Sequence, residues 1–549
     1  MSSTVVFEAR KVITGDPMKP LATHIAVQEG RVLAVGTAEE MTGWGDFAID
    51  RTFAGDVIMA GLVEGHAHAA EGGLWRWPYV GQVARKDPDG GDHAPLLKVA
   101  DVVGLLHVAE QELRDAAAPL VAWGIDPLLL DDGDGLTADS LDRVSATRPV
   151  VILHDSGHAL YVNHAALTAV GYDETTAVEG VLKDAAGKLT GGLLEFAAMM
   201  PVAIKIMPEF AAVGRSAADL RGFAEVAHLR GVTTVADMGT SWWDVKLADV
   251  GLDATADPAF PARLVAVGSV VGVPGMDPDA AVAQWCETRK RSTDKLFLTA
   301  LKIFADGSIQ QRTGRLNWPH YYGMTDHNGI WNQSPDDLAR WTLACHKAGV
   351  QVNCHANGDE ASDAFINAVG AAMAGATFPD HRHTMQHAQM LTEAQLLKMR
   401  ALGMAANIFS NHIYYWGDLH RDVLLGPERA SRMDPCASAD RIGVPYGFHC
   451  DDPVSPIDPL FTAWCAVNRL TRSGRVLGAD ERIPVARALH AATLGAAYIL
   501  KLDHLIGSIQ AGKFADFTVL GEDPLSVAPV DLKDVPRVAT VVGGRVFSI

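Results

Sequence analysis

The stretch VIMAGLVEGHAH, residues 57–68, decides the fold prediction for this chain. Its apolar run ends in His66 and His68, and residues i and i+2 of a strand point to the same face. Barrel enzymes place their chemistry at the carboxyl ends of buried parallel strands. The stretch therefore predicts a buried strand that delivers two imidazoles to one site, and two converging imidazoles are typical of a metal site.

The sequence that follows alternates strand-like and helix-like segments. Strand-like runs such as PVVILHDSGH, LFLTALKIFADG and GVPYGFHCDDP are separated by segments with helix caps, such as SPDDLARWTLACHKAG. Repeated βα units predict a parallel sheet, and this many units predict an α/β fold of the (β/α)₈ TIM-barrel type. We expect the barrel over residues 59–504. Gly/Asp-rich loops predict an insertion over its mouth at about 71–210.

Both ends of the chain consist of short alternating β-like runs with turn residues between them. Examples are THIAVQEGRVLAVG near the start and RVATVVGGRVFSI at the end. Neither end has enough strands to be stable alone. The pattern predicts one small β-sandwich domain made from residues 1–58 and 505–549.

Composition and charge exclude several classes of protein. The 549 residues carry a net charge of -20 and no basic run, which argues against a nucleic-acid partner. The sequence has no apolar run long enough for a membrane span and begins without a signal-peptide pattern. Its six cysteines form no CxxC pair, which indicates a reducing compartment, so we expect a cytoplasmic protein without a membrane partner.

Further candidates for chemistry recur at the ends of later strand-like runs: Lys302, His355, His387 and Asp451. Lys302 lies between Leu301 and Ile303, and burial favours its neutral amine. A neutral amine can react with CO₂ to give a carbamate, an anion with two oxygens that can bridge two cations. Asp451 can relay a proton, but the neighbouring Asp452 is an equal candidate from position alone.

In chain order, the motifs HAH, KIFADG, NCHANGD, RHTMQHAQ and FHCDDPVSP resemble those of the amidohydrolase superfamily. The resemblance is strongest to the family 3 branch that contains N-substituted formamide deformylases. It implies a binuclear metal centre and catalytic roles for Asp451 and His158, with His158 contacting the substrate or its oxyanion. The implied metal ligands are His66, His68 and Asp451 for the first ion, His355 and His387 for the second, and Lys302 as a bridging carbamate.

Two segments depart from the branch. Phe448, His449 and Cys450 stand where small residues are more common, and Asn411–His412 replaces a common Gln-Pro. These changes leave the substrate open. Aromatic residues near the motifs favour an apolar or aromatic amide, and the predicted substrate contacts are Trp75, Asp306, Arg312 and Tyr414.

The sequence thus predicts a metal-dependent amidohydrolase that cleaves a C–N bond other than a peptide bond through a metal-bridging hydroxide. Two divalent ions are implied, with zinc as the default and iron, manganese or cobalt also compatible. Two alternatives remain: a mononuclear deaminase, with Glu360 as its only nearby acid, and a non-catalytic scaffold. The expected partner is a small amide-type molecule, and a homodimer stays open.

Overall fold

A computed structural model describes residues 4–44, 47–115, 117–240, 242–270, 276–324 and 326–549. These residues divide into two compact units. The first contains the described residues of Met1–His68, Ala227–Cys450 and Ile457–Ile549, and the second contains those of Ala69–Val226 and Asp451–Pro456. The insertion predicted at about 71–210 falls inside the second unit. Its place over the barrel mouth and the exact domain boundaries stay predictions.

Eight parallel strands of the first unit form a nearly closed barrel, and each pairs with the next in chain order. Most of their residues are buried, as expected for parallel strands covered on both faces. The predicted (β/α)₈ barrel is therefore confirmed. The strands, numbered one to eight, are Leu62–Ala67, Val232–Asp237, Arg263–Ser269, Leu296–Phe304, Val352–Ala356, Thr384–His387, Ala405–Ile408 and Tyr446–Phe448.

The helices between the strands begin where side-chain caps predict them. Ser334 accepts the backbone N–H of Asp337 at the start of one helix, and Thr392 forms a capping box with Gln395 at the start of another. The principal helices of this unit are Val245–Ala256, Pro278–Arg289, Pro335–Lys347, Asp359–Gly375, Glu393–Ala401, Asn411–Leu419, Cys436–Ile442 and Pro459–Asn468. The helix Ala217–His228 belongs to the second unit except for its last two residues.

A glycine brings the first and eighth barrel strands together. A Cβ atom at Gly65 would lie 2.7 Å from the carbonyl oxygen of Phe448 and 3.1 Å from Nδ2 of Asn407. Real side chains do not approach that closely, so only glycine fits there. The two strand ends that carry His66 and His449 are neighbours for this reason.

Strands from both chain ends form a second sheet in the first unit, as predicted. Its order across the sheet is Arg545–Ser548, Arg537–Val542, Phe517–Leu520, Val57–Ala60, Thr4–Ile13, Leu21–Gln28 and Arg31–Gly36, with Phe47–Asp50 also paired to Thr4–Ile13. The central strand Val57–Ala60 continues through Gly61 into the first barrel strand. The stretch that decided the prediction thus belongs to both sheets.

The second unit has its own five-stranded sheet. Across the sheet the strands are Val181–Lys183, Leu189–Leu194, Ala159–Val162, Val150–His154 and Leu120–Ile125, and only the last two pair in parallel. The main helices of this unit are Val99–Glu112, His164–Val170 and Glu195–Lys205. The core of this unit includes the fully buried Trp123.

Candidate metal centre

The HAH motif lies at the carboxyl end of the first barrel strand. His66 is buried inside the strand end, and His68 follows directly after it. The centroids of the two rings are 5.2 Å apart. A Cβ atom at Gly239 would lie 2.1 Å from Nδ1 of His68, so glycine after the second strand leaves room for that ring.

A buried carboxylate fixes this strand end to the eighth strand. Oε1 of Glu64 accepts the backbone N–H of His66 at 3.0 Å and that of Cys450 at 3.0 Å. Glu64 has no exposed surface. Glu64 was not among the residues predicted from the sequence. Its signal was a glutamate within the apolar run VIMAGLVEG, because buried carboxylates need dedicated partners.

Lys302 lies inside the barrel next to the HAH motif. Its side chain is fully buried near the end of the fourth strand, and Nζ is 3.1 Å from Nε2 of His66. The ring of Phe304 lies 5.2 Å from Nζ. The structure therefore brings together a lysine and a histidine that the sequence placed 236 residues apart.

His355 and His387 meet at the ends of the fifth and sixth strands. Nε2 of His387 is 2.9 Å from Nδ1 of His355, and Nε2 of His355 is 3.2 Å from the carbonyl oxygen of Gly307. His387 and Ala388 have φ angles of 68° and 55°, so the backbone turns sharply where the strand ends. Left-handed backbone at a non-glycine residue is common at functional sites.

Three imidazoles converge between these strand ends. His66, His387 and His449 are buried, and each offers a ring nitrogen within 4.8 Å of the other two. Buried imidazole nitrogens fit a divalent cation of the first transition row, because such ions prefer imidazole. In the sequence, His449 stands out only as a departure from the resemblance, and its signal was the imidazole in place of a small residue.

Asp451 and Asp452 follow Cys450 directly and belong to the second unit. Asp451 has a φ of 56°. The fully buried carboxylate of Asp452 accepts a hydrogen bond from Nη1 of Arg85 at 2.8 Å, and Arg85 also donates to the carbonyl of Pro453. Asp452 is thus held in an ion pair within its own unit.

His158 also lies in the second unit, where it contacts Glu195. Its Nδ1 is 3.0 Å from Oε2 of Glu195, whose φ is 60°. Burial alone would lower the pKa of His158, but the hydrogen bond and the charge of Glu195 raise it above its ordinary value. A histidine held by a carboxylate in this way has a fixed ring orientation.

The predicted substrate contacts lie in varied surroundings. Trp75 donates to Glu71 and packs on Trp123, and the ring of Tyr414 packs against Tyr415, Phe461 and Trp464. Arg312 has a φ of 57° in the loop after the fourth strand. Their substrate contacts stay predictions.

Asp306 connects two loops at the barrel end through hydrogen bonds. Its carboxylate accepts the backbone N–H groups of Asn357, Gly358 and Arg315 at 2.8–3.0 Å. Burial raises its pKa to about 7 despite these hydrogen bonds. The carboxylate therefore joins the loops that follow the fourth and fifth strands.

Glu360, the acid named for the deaminase alternative, is held by hydrogen bonds to its neighbours. Its Oε2 accepts hydrogen bonds from Nε of Arg315 at 2.9 Å and from Nδ2 of Asn328 at 2.7 Å. This pairing does not favour a role for Glu360 as a proton donor.

Comparison with known proteins shows the family of this chain. The family model described as amidohydrolase family matches residues 54–547. The chain belongs to the amidohydrolase family. The resemblance predicted from the motifs is thereby confirmed.

Individual relatives of this amidohydrolase-family chain cover nearly its whole length. It is 27% identical to the protein LONG AFTER FAR-RED 3 of Arabidopsis thaliana, over 97% of this chain and 90% of that protein. It is 24% identical to an N-substituted formamide deformylase of Arthrobacter pascens, over 97% of this chain and 96% of that protein. The crystal structure of an uncharacterised metal-dependent hydrolase from Pyrococcus horikoshii OT3 has a similar fold, with a TM-score of 0.72 and 20% identity over 96% of this chain and 99% of that one.

Family membership and these neighbours support a hydrolase, and the amidohydrolase superfamily is metal-dependent. The buried histidines at the barrel end are candidate ligands. Among the described residues, no helix is both long and apolar enough to cross a membrane.

Proposed function

We propose that this chain is an amidohydrolase that cleaves a C–N bond, other than a peptide bond, in a small amide-type molecule at a centre of two divalent cations. One observation carries the proposal: the fully buried Lys302 has its Nζ 3.1 Å from Nε2 of His66. A buried ammonium among imidazoles is unfavourable. As a carbamate, the same lysine would be an anion that two cations would stabilise.

The chain's own residues supply a complete ligand set. His66 and His68 would hold one cation, and His355 and His387 would hold the other. The carbamate of Lys302 would be a ligand of both cations. Asp451 would complete the first site. The ion pair of Asp452 with Arg85 supports Asp451 as the ligand, because it leaves Asp452 engaged elsewhere. Zinc is the proposed metal, since imidazoles predominate.

When bound, the cations supply Lewis acidity and lower the pKa of an attacking water. The carboxylate of Asp451 accepts the proton of that water and returns it to the departing nitrogen. His158 turns Nδ1 toward Glu195, whose hydrogen bond and charge raise the pKa of His158, and the protonated ring can donate a hydrogen bond through Nε2 to the substrate carbonyl oxygen. The reaction needs no organic cofactor.

The test is metal content per chain, measured by elemental analysis on protein produced with added bicarbonate. We expect two ions in the unaltered protein and a sharp loss in Lys302→Ala. Lys295→Ala is the matched control, because Lys295 precedes the same fourth strand at its opposite end. The control should keep both ions.

Activity is measured in parallel as release of amine from a panel of small formyl and acyl amides. Hydrolysis that disappears in Lys302→Ala and persists in Lys295→Ala supports the proposal. A metal content of one ion per chain that does not change in Lys302→Ala indicates the mononuclear deaminase instead. A folded protein that binds no metal contradicts the proposal and leaves the scaffold alternative.

A further inference from the structure

His449 lies at the same end of the barrel as the proposed ligands. It follows Phe448, the last residue of the eighth strand, and only 1% of its surface is exposed. Its ring stacks on that of His66, with centroids 4.7 Å apart and an interplanar angle of 20°. The centroid of the His387 ring is 5.0 Å away.

We propose that His449 is an additional metal ligand, which would bind the same cation as His66. This inference rests on the proposed function, because it assumes that the barrel end binds a metal. With zinc–nitrogen distances of about 2.0–2.1 Å, two imidazole nitrogens on one tetrahedral ion lie roughly 3.4 Å apart. Ring nitrogens of His66 and His449 lie within 4.8 Å of each other, so small ring rotations bring them to that separation.

The surroundings of His449 hold its ring in a defined orientation. Phe409 stacks on it with centroids 4.9 Å apart and an interplanar angle of 23°. The next residue, Cys450, donates its backbone N–H to the buried Glu64 at 3.0 Å. A ligand whose ring and backbone are both fixed loses little entropy when a metal binds.

An additional imidazole affects which metal the centre selects. Imidazole suits zinc, iron, copper and nickel, whereas carboxylate and water ligands suit manganese and magnesium. We expect His449 to increase the ratio of zinc affinity to manganese affinity. A centre that used only the ligands implied by the resemblance would have a smaller preference for zinc over manganese.

The deciding variant is His449→Phe, which keeps an aromatic ring between His66 and Phe409 but removes both nitrogens. The matched control is His412→Asn. His412 is also buried and contacts Phe409, with centroids 4.4 Å apart, but its Nδ1 is 3.1 Å from Oδ1 of Asp434. The asparagine amide can replace that contact.

Two measurements on the full chain report ligation without relying on turnover. Zinc affinity is measured by competition with a chromogenic chelator, and coordination by the visible absorption of the cobalt(II)-loaded protein. We expect His449→Phe to bind zinc at least about tenfold more weakly and to change the cobalt absorption bands. His412→Asn should retain both properties.

A second variant, His449→Gly, keeps the test decisive if the phenylalanine protein does not fold. It opens a space that free imidazole can fill, so added imidazole should restore the original cobalt spectrum. Unchanged zinc affinity and cobalt spectrum in the His449 variants would overturn the inference and leave the proposed function standing. Absence of zinc binding by the unaltered protein would overturn both.

Discussion

Glu64 shows how a single residue determines the geometry of the candidate centre. Its carboxylate accepts backbone N–H groups from His66, in the first barrel strand, and from Cys450, two residues after the eighth strand. Leaving a buried donor without an acceptor costs about 1–3 kcal/mol. The carboxylate therefore affects both the stability of the barrel and the position of the histidines that follow.

We expect Glu64→Leu to lower the free energy of unfolding by about 2–6 kcal/mol, because two buried N–H groups lose their acceptor. Glu64→Gln retains one acceptor oxygen and should lose less. Urea unfolding curves of the two variants, compared with the unaltered protein, measure the difference. Equal losses in both variants would show that the N–H acceptors are not the reason.

Arg85 is the second residue with a role that the sequence did not reveal. Its guanidinium pairs with Asp452, next to the proposed ligand Asp451, and both side chains are almost completely buried. Removing one member of a buried ion pair leaves the other charge unpaired, which typically costs about 3–5 kcal/mol. Lysine would not replace the planar guanidinium, which donates to two acceptors here.

Arg85→Met should therefore destabilise the second unit by about 3–5 kcal/mol, and the added change Asp452→Asn should recover part of that loss. Arg76→Met is the control. Arg76 pairs with Asp219 but is partly exposed, so its loss should cost no more than about 1 kcal/mol. A double-mutant cycle by chemical denaturation measures these values. Equal effects of the two arginine changes would contradict the role given to burial.

At the scale of an element, the first barrel strand depends on the absence of a side chain at Gly65. A Cβ atom there would lie 2.7 Å from the carbonyl oxygen of Phe448. The eighth strand would have to move away, and His449 would move with it. The glycine is thus required by the close approach of two strands.

Gly65→Ala should consequently lower both the stability and the zinc affinity of the protein. The same substitution at Gly104, inside the helix Val99–Glu112, should raise stability by roughly 0.5–1 kcal/mol, since nothing lies within 4 Å and alanine favours a helix. Thermal unfolding and chelator competition distinguish the two variants. A neutral Gly65→Ala would contradict the close-approach argument.

Elements were predictable from the sequence where a local pattern determines them. The apolar run before His66 predicted a buried strand, and Ser334 and Thr392 marked helix starts that the structure contains. The role of Glu64 was not predictable, because its acceptor function depends on Cys450, 386 residues later. The pairing of Arg85 with Asp452 is likewise a long-range contact without a local signal.

At the scale of the whole molecule, a second histidine cluster lies at the end of the barrel opposite the candidate centre. His381 and His383 precede the sixth strand, whose last residue is His387. Nδ1 of His346 lies 3.0 Å from Nε2 of His383. Nδ1 of His383 accepts the backbone N–H of Val352 at 2.9 Å. Burial lowers the pKa of all three histidines, and that of His383 lies well below its usual range.

The sign of the resulting pH dependence follows from these lowered pKa values. In the unfolded chain the histidines bind protons below pH of about 6.5, whereas in the folded chain they stay neutral to lower pH. The unfolded state then holds more protons, so stability is complete above that pH and is lost as the pH falls. Each such histidine contributes a slope of up to about 1.4 kcal/mol per pH unit.

His383→Asn should therefore make the acid loss of stability less steep by up to about 1.4 kcal/mol per pH unit below pH 6.5, because one of the three histidines no longer titrates. His107→Asn is the control, since His107 is exposed on the helix Val99–Glu112 and its replacement should leave the slope unchanged. Urea unfolding from pH 5 to pH 8, on protein freed of metal with a chelator, separates this effect from protonation of bound ligands. If both variants kept the slope of the unaltered protein, the acid sensitivity would have to arise from groups other than this buried cluster.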